Sequence, residues 1–220
     1  MSASDKPLRR DAERNRQLIL EASRELFAER GPTVTLDDIA ARAGVGVGTV
    51  YRRFPSRDEL LDTLFEDRLQ ELIANAEQAL ALDDPWESVH RLLEGYMEVQ
   101  AGDRSFGPVV LTNAHGRGEL DRARVRLKPI VDQIVERAQR AGVLRPDVTS
   151  TDVPMIILSV GLLQNASRDV APDVWRRPLA LILDGLRADR TDTLPLGADP
   201  VAPEDVPRIM HDAFAPPARG

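Results

Sequence analysis

Residues 43–60 read AGVGVGTVYRRFPSRDEL, with glycine at 44, 46 and 48 and then Thr49, Tyr51, Arg52, Arg53 and Arg57. Backbone amides left open by glycine, hydroxyls and guanidinium groups are the donors that hold phosphate oxygens, and a guanidinium also matches the guanine edge in the major groove. Two chemistries fit this set: a loop that cradles a nucleotide's phosphates, or a surface that grips DNA. A phosphate loop needs a strand before it and a helix after it, so that helix-start amides face the anion. Here the preceding segment has helical periodicity, the Lys-Ser/Thr ending of a Walker loop is missing, and Gly44-x-Gly46-x-Gly48 does not match G-x-G-x-x-G. The grip on nucleic acid is the reading that stands.

The elements that must position these residues are helical. From about Asp11 to Arg30, Leu18, Ile19, Ala22, Leu26 and Phe27 recur at spacings of three and four, and Gly31-Pro32 ends the run. Thr35 with Asp38 predicts a capping box for a short helix that stops at Gly44. A second short helix follows over about Val47 to Phe54, and Ser56 with Glu59 opens a long one to about Leu82. Helix, tight turn at Gly44 and helix make a helix-turn-helix. Ile39, Ala40, Val45 and Val50 are spaced to pack its two helices together. Gly46 and Gly48 cost that second helix roughly 1 kcal/mol each relative to alanine, so something other than helix propensity placed them.

Further along, Asp84-Pro85 reads as an N-cap with proline in the first turn of a helix to about Ala101. Helical segments are then expected over about 104–114, 119–141 (with Pro129 as a kink), 151–167 and 172–188 (with Pro178 as an irregularity). From Thr191 onward six prolines fall in 30 residues, a mostly extended tail with one helical turn around 206–214. The fold class is all-α: a helix-turn-helix domain over 1–57, a helical domain over 58–190 and a Pro-rich tail over 191–220.

Composition bounds the partners. The net charge of −7 argues on average against nucleic acid, but residues 1–57 carry 11 Lys plus Arg against 8 Asp plus Glu, and residues 58–220 carry 18 against 28. The basic excess sits where the DNA-gripping residues are. Cysteine is absent, which removes disulfides, thiolate nucleophiles and sulfur-ligated zinc. No apolar run is long enough for a membrane span and the N-terminus lacks the apolar core of a signal peptide, so the expected location is the cytoplasm, with no membrane partner. His90 and Glu94 stand at i, i+4 without a third ligand nearby, an exposed pair rather than a metal site; no metal and no cofactor is expected.

The span from Leu18 to Leu60, LILEASRELFAERGPTVTLDDIAARAGVGVGTVYRRFPSRDEL, resembles the DNA-binding domain of the tetracycline-repressor (TetR) family. The likeness is carried by Leu26-Phe27 and Gly31, Thr35-x-x-Asp38-Ile39-Ala40, Gly44-Val45, Tyr51, Phe54 and Leu60, and the remainder is similar to a helical effector-binding and dimerisation domain of the SbtR-like kind. The resemblance implies a homodimeric repressor whose two copies read a palindromic operator on double-stranded DNA and let go when a small-molecule effector binds. Carried onto this chain, Val47, Gly48, Thr49 and Arg52 would face base edges or adjacent sugars. Thr35, Tyr51, Arg53 and Arg57 would hold phosphates, Arg57 at the positive end of the long helix. Arg9 and Arg10 would form an arm toward the minor groove. Position 47 is often polar in such proteins, so with Val47 base readout would rest on Arg52, thymine methyl contacts and shape.

For the effector pocket the sequence nominates Tyr96, Met97, Phe106, Val110, His115, Met155 and Leu158, around the middle of the helical domain. For the dimer interface it nominates Ile156, Val160, Leu163, Leu179, Ile182 and Leu186, from two helices with more apolar surface than one side needs. A transcriptional activator of the same fold is an alternative. A helical enzyme and a protein–protein adaptor are further ones; the first lacks any triad-like or metal-ligand spacing.

Overall fold

The computed structural model describes residues 5–103, 105–107, 109, 118–189 and 194–212, and these form nine α-helices. The first, α1 (Asp5–Arg30), starts earlier than its apolar periodicity and runs into a short 3-10 turn at Gly31–Thr33. Next come α2 (Leu36–Ala43), α3 (Val47–Arg53) and the long α4 (Arg57–Ala81). The helical body is α5 (Pro85–Ala101), α6 (Glu119–Arg140), α7 (Asp152–Ser167) and α8 (Arg176–Leu186), with α9 (Val206–Asp212) near the C-terminus. An isolated bridge pairs Leu144 with Arg187.

Local chemistry sets most boundaries. Asp84 caps α5 by accepting from the amides of Trp86 (2.8 Å) and Glu87 (3.1 Å), with Pro85 at the first helical position. Ser56 caps α4, its hydroxyl accepting from the Glu59 amide at 3.2 Å. Pro129 lies inside α6 without ending it. The helix expected from 172 begins only at Arg176, so Pro178 falls in the first turn, where an amide has no partner within the helix and proline costs little. It is no irregularity there.

One start is supplied from a distance. Gly118, the N-cap of α6, has no side chain to offer; Asp62 of α4 accepts from the Glu119 amide at 2.7 Å instead. A Cβ at position 118 would lie 2.4 Å from that carboxylate and would push it away from the Glu119 amide.

A continuous core runs from Ile19 and Phe27 of α1 through Phe65 of α4 to Trp175 before α8. Phe65 meets Phe106 edge-on, with ring centroids 5.6 Å apart. The tail carries the helical turn expected around 206–214, as α9, but folds back on the body rather than running free. Arg145 donates to the Leu194 carbonyl at 2.9 Å, and α9 returns Val206 and Ile209 against the core.

Candidate nucleic-acid interface

The capping box at α2 is complete. The Thr35 hydroxyl accepts from the Asp38 amide (3.1 Å), and the Asp38 carboxylate accepts from the Thr35 amide (3.0 Å) and hydroxyl (2.6 Å). Those bonds hold the Asp38 carboxyl below its usual range. At the other end Gly44 takes φ 65°, a left-handed cap that turns the chain, and the Val45 amide reaches back to the Ala40 carbonyl at 3.1 Å. Gly46 then opens α3.

Burial divides α3 cleanly. Val50 and, just past its end, Phe54 are buried against Ile39 and Ala40, as the spacing predicts, with Val45 partly buried beside them. On the opposite side Val47 is 45% exposed and Tyr51 47%, and Gly48, Arg52 and Arg53 are also open to solvent; Thr49 is half-buried. Tyr51 is therefore a surface residue and no part of the core. A Cβ at Gly48 would meet nothing in this chain, so no internal contact demands glycine there.

The flanking residues differ from the sequence reading in detail. Arg53 leans back toward Glu13 of α1, 3.8 Å away. Arg57 lies half-buried with its guanidinium carbon 5.4 Å from the centre of the Phe27 ring, and burial lowers its affinity for its proton. The Thr35 hydroxyl proton already points to Asp38, so what it offers outward is acceptor capacity. Arg9 and Arg10 do not belong to an irregular arm: the backbone there is already helical, within α1.

In the helical body the pocket residues scatter. A cavity of about 380 Å³ lies among α4, α5, α6, α7 and the tail, and of the nominated set Tyr96 lines it. Met97, Phe106 and Leu158 are instead packed in the core, and Met155 is half-buried beside it. Val110 and His115 lie outside the described residues. Sequence reading missed Leu72, Leu92, Arg124, Val131, Pro203 and Val206, all of which line the cavity. The one local signal was Arg124, a cation on the apolar stripe of α6. The Tyr96 hydroxyl is buried with no hydrogen-bond partner, a state costing about 1–3 kcal/mol. Burial also pushes its phenol well above the usual range.

Of the residues nominated for the dimer, Val160, Leu179 and Leu186 are buried within the chain itself, because α7 and α8 turn those positions toward the core. Ile156 and Ile182 are half-buried and Leu163 is 39% exposed. Leu162 (39%) and Leu181 (68%) extend this open apolar surface. His90 stands 3.6 Å from both Glu87 and Glu94 on the surface of α5. No described helix is long and apolar enough to cross a membrane.

Comparison with known proteins adds to this geometry. Residues 19–64 match the family described as bacterial regulatory proteins, tetR family, and residues 84–188 match the SbtR-like transcriptional regulator C-terminal domain. Over 85 residues the chain is 38% identical to the uncharacterized HTH-type transcriptional regulator YhgD of Bacillus subtilis, covering 38% of this chain and 44% of that protein. Over 100 residues it is 36% identical to the HTH-type transcriptional repressor LfrR of Mycolicibacterium smegmatis, covering 45% and 49%. The matched stretch thus spans about half the length of these curated relatives. The structure of the TetR family transcriptional regulator PfmR from Thermus thermophilus superposes with a TM-score of 0.57 at 24% identity, over 81% of this chain and 96% of that one, a likeness of fold.

Proposed function

Since the chain belongs to the TetR family of bacterial regulatory proteins, we propose that it is a homodimeric transcriptional repressor that binds a palindromic operator and is released by a small-molecule effector. The observation that carries this is the division of α3: Val50 is buried, while Val47, Gly48, Tyr51 and Arg52 form one uncovered face. A helix this short is kept rigid only by its inner anchors, which leaves its outer face free to enter a major groove. Arg52 suits a guanine edge there, and Val47 a thymine methyl. Tyr51, Arg53 and Arg57 lie around it as the contacts to phosphate, Arg53 exchanging its link to Glu13 for an anion, while Thr35, its proton held by Asp38, fixes the start of α2 rather than meeting phosphate.

Dimerisation through α7 and α8 is supported by the open apolar surface of Leu162, Leu163 and Leu181 with Ile156 and Ile182. The curated repressor relative points to repression. For the effector, the 380 Å³ cavity is the site we favour. An effector acts by favouring a dimer in which the two α3 helices no longer sit about 34–36 Å apart. A coupling of about 1–3 kcal/mol changes operator affinity about five- to 150-fold.

Selection of bound fragments from random duplexes, followed by gel shifts at two salt concentrations, tests the proposal. An enriched inverted repeat whose affinity falls steeply with salt is expected. Binding without any sequence preference, or no binding, contradicts it.

A further inference from the structure

One wall of the cavity differs in kind from the rest. Leu92, Val131 and Ile157 line it from the helical body, whereas Pro203, Val206 and Pro207 close it from the tail. Those three lie beyond residue 188, where the match to the SbtR-like domain ends. Two points hold this wall. Arg145, itself clamped by Asp147 at 2.6 Å, donates to the Leu194 carbonyl at 2.9 Å, and α9 rests Val206 and Ile209 on the core. Between them, residues 194–200 are exposed throughout and include Gly197 at φ 74°, so little packing fixes the link. A helix of seven residues is not stable alone in water, so α9 keeps its place through its docked face.

The charged groups around the cavity are committed to one another. Arg124 pairs with Asp121 at 3.3 Å and Lys128 with Asp132 at 2.6 Å, and Ser150 also bonds to Asp132. The Tyr96 hydroxyl is sealed from solvent, so this residue shows the cavity its ring. A charged ligand would therefore leave water without a counter-ion, a cost that an uncharged one avoids. We propose that α9 is a lid on this cavity, lifting to admit an uncharged, mainly apolar molecule and docking over it. The proposal rests on the effector reading above and names the ligand class of that site. Apolar matter in the cavity gives Val206 more surface to bury against, so a bound ligand and a docked tail stabilise each other. In size, about 380 Å³ gives room for about a dozen groups at ~30 Å³ each.

1-Decanol, decanoate and decylamine share one apolar body and differ in head group, so titrating each into the full-length protein by calorimetry, without DNA, tests the ligand class. Decanol is expected to bind about tenfold more tightly than either charged analogue at neutral pH. Hydrogen exchange with and without decanol tests the lid: the Ile209 amide, bonded to the Asp205 carbonyl at 3.1 Å, is expected to exchange about tenfold more slowly when decanol is bound. Ile209 packs on the core without lining the cavity, so Ile209→Asp reaches the ligand only through the tail. It is expected to speed exchange across α9 and to weaken decanol about tenfold while the other helices keep their protection. Should that variant unfold, Ile209→Ala is expected to move both readouts in the same direction by about threefold. No binding of decanol, a charged analogue binding as tightly, or tail exchange unmoved by decanol overturns the proposal, as does undiminished affinity in a folded Ile209 variant. Because DNA is absent, such a failure leaves operator binding untouched. Conversely, a tail that closes over decanol while operator affinity stays unchanged supports the lid and counts against the effector reading alone.

Discussion

Arg52, Arg53 and Arg57 are alike in a sequence and unlike in place. Arg52 projects from the open face of α3, whereas Arg57 is half-buried over Phe27. Arg52→Ala is therefore expected to lower operator affinity and relax sequence preference, at a cost of about 1–3 kcal/mol on the preferred site. Arg57→Ala should weaken all duplexes alike and reduce the salt slope by about 0.9. Gel shifts on specific and random DNA across a salt series separate the two; equal losses on both kinds of duplex for Arg52→Ala refute that division of labour. Residue types alone showed a set of donors suited to phosphate and base edges, and the resemblance supplied the role proposed for each. They could not reveal that the Thr35 proton is committed to Asp38, because that depends on a rotamer and not on residue identity. Tyr96 carries a separate expectation. Its folded pKa lies above the unfolded value of about 10, so the protonated phenol stabilises the fold fully below that pH and the contribution is lost as pH rises beyond it. An alkaline absorbance titration should find this phenol ionising only together with unfolding, and ionisation near pH 10 in the folded chain contradicts its burial.

At the level of elements, helices and the caps supplied by neighbouring residues were readable, and contacts supplied by distant residues were not. The Thr35–Asp38 box, Gly44 and the Asp84-Pro85 start each act within a single turn, and each falls where the sequence put it. Thr35→Ala is expected to cost about 1 kcal/mol in chemical denaturation, and Gly44→Ala, forced into a left-handed backbone, about 1–2 kcal/mol. Unchanged stability in both variants would mean that the turn is held by something else. The start of α6 at Glu119 falls where the sequence put it, but what caps it, Asp62, 57 positions earlier in the chain, was not legible from the residues around it. Likewise apolar residues recur on more than one side of α7 and α8, and periodicity cannot say which side meets the core; Val160, Leu179 and Leu186 turned out to be the inner ones. The helical turn expected around 206–214 is α9, but its return onto the core was not legible, because proline content says nothing of a docking surface.

Across the whole molecule, α6 joins the proposed sensor to the proposed reader. Arg124 and Val131 face the cavity, while its first amide is held by Asp62, near the start of the helix that follows α3 directly. Asp62→Ala is expected to leave α3 intact but loosen this joint, so that operator binding persists while an effector's influence on it shrinks by several-fold. Comparing operator affinity with and without effector in both proteins checks this, and an undiminished response excludes the Asp62 route. The central claim is that two copies of the chain place α3 in successive major grooves on one side of the duplex. Hydroxyl-radical footprinting on the selected operator tests it most directly. Two protected patches about 10–10.5 base pairs apart, centre to centre, on the same face, both lost with Arg52→Ala, are the predicted result; a single patch, or protection that Arg52→Ala leaves intact, would contradict it.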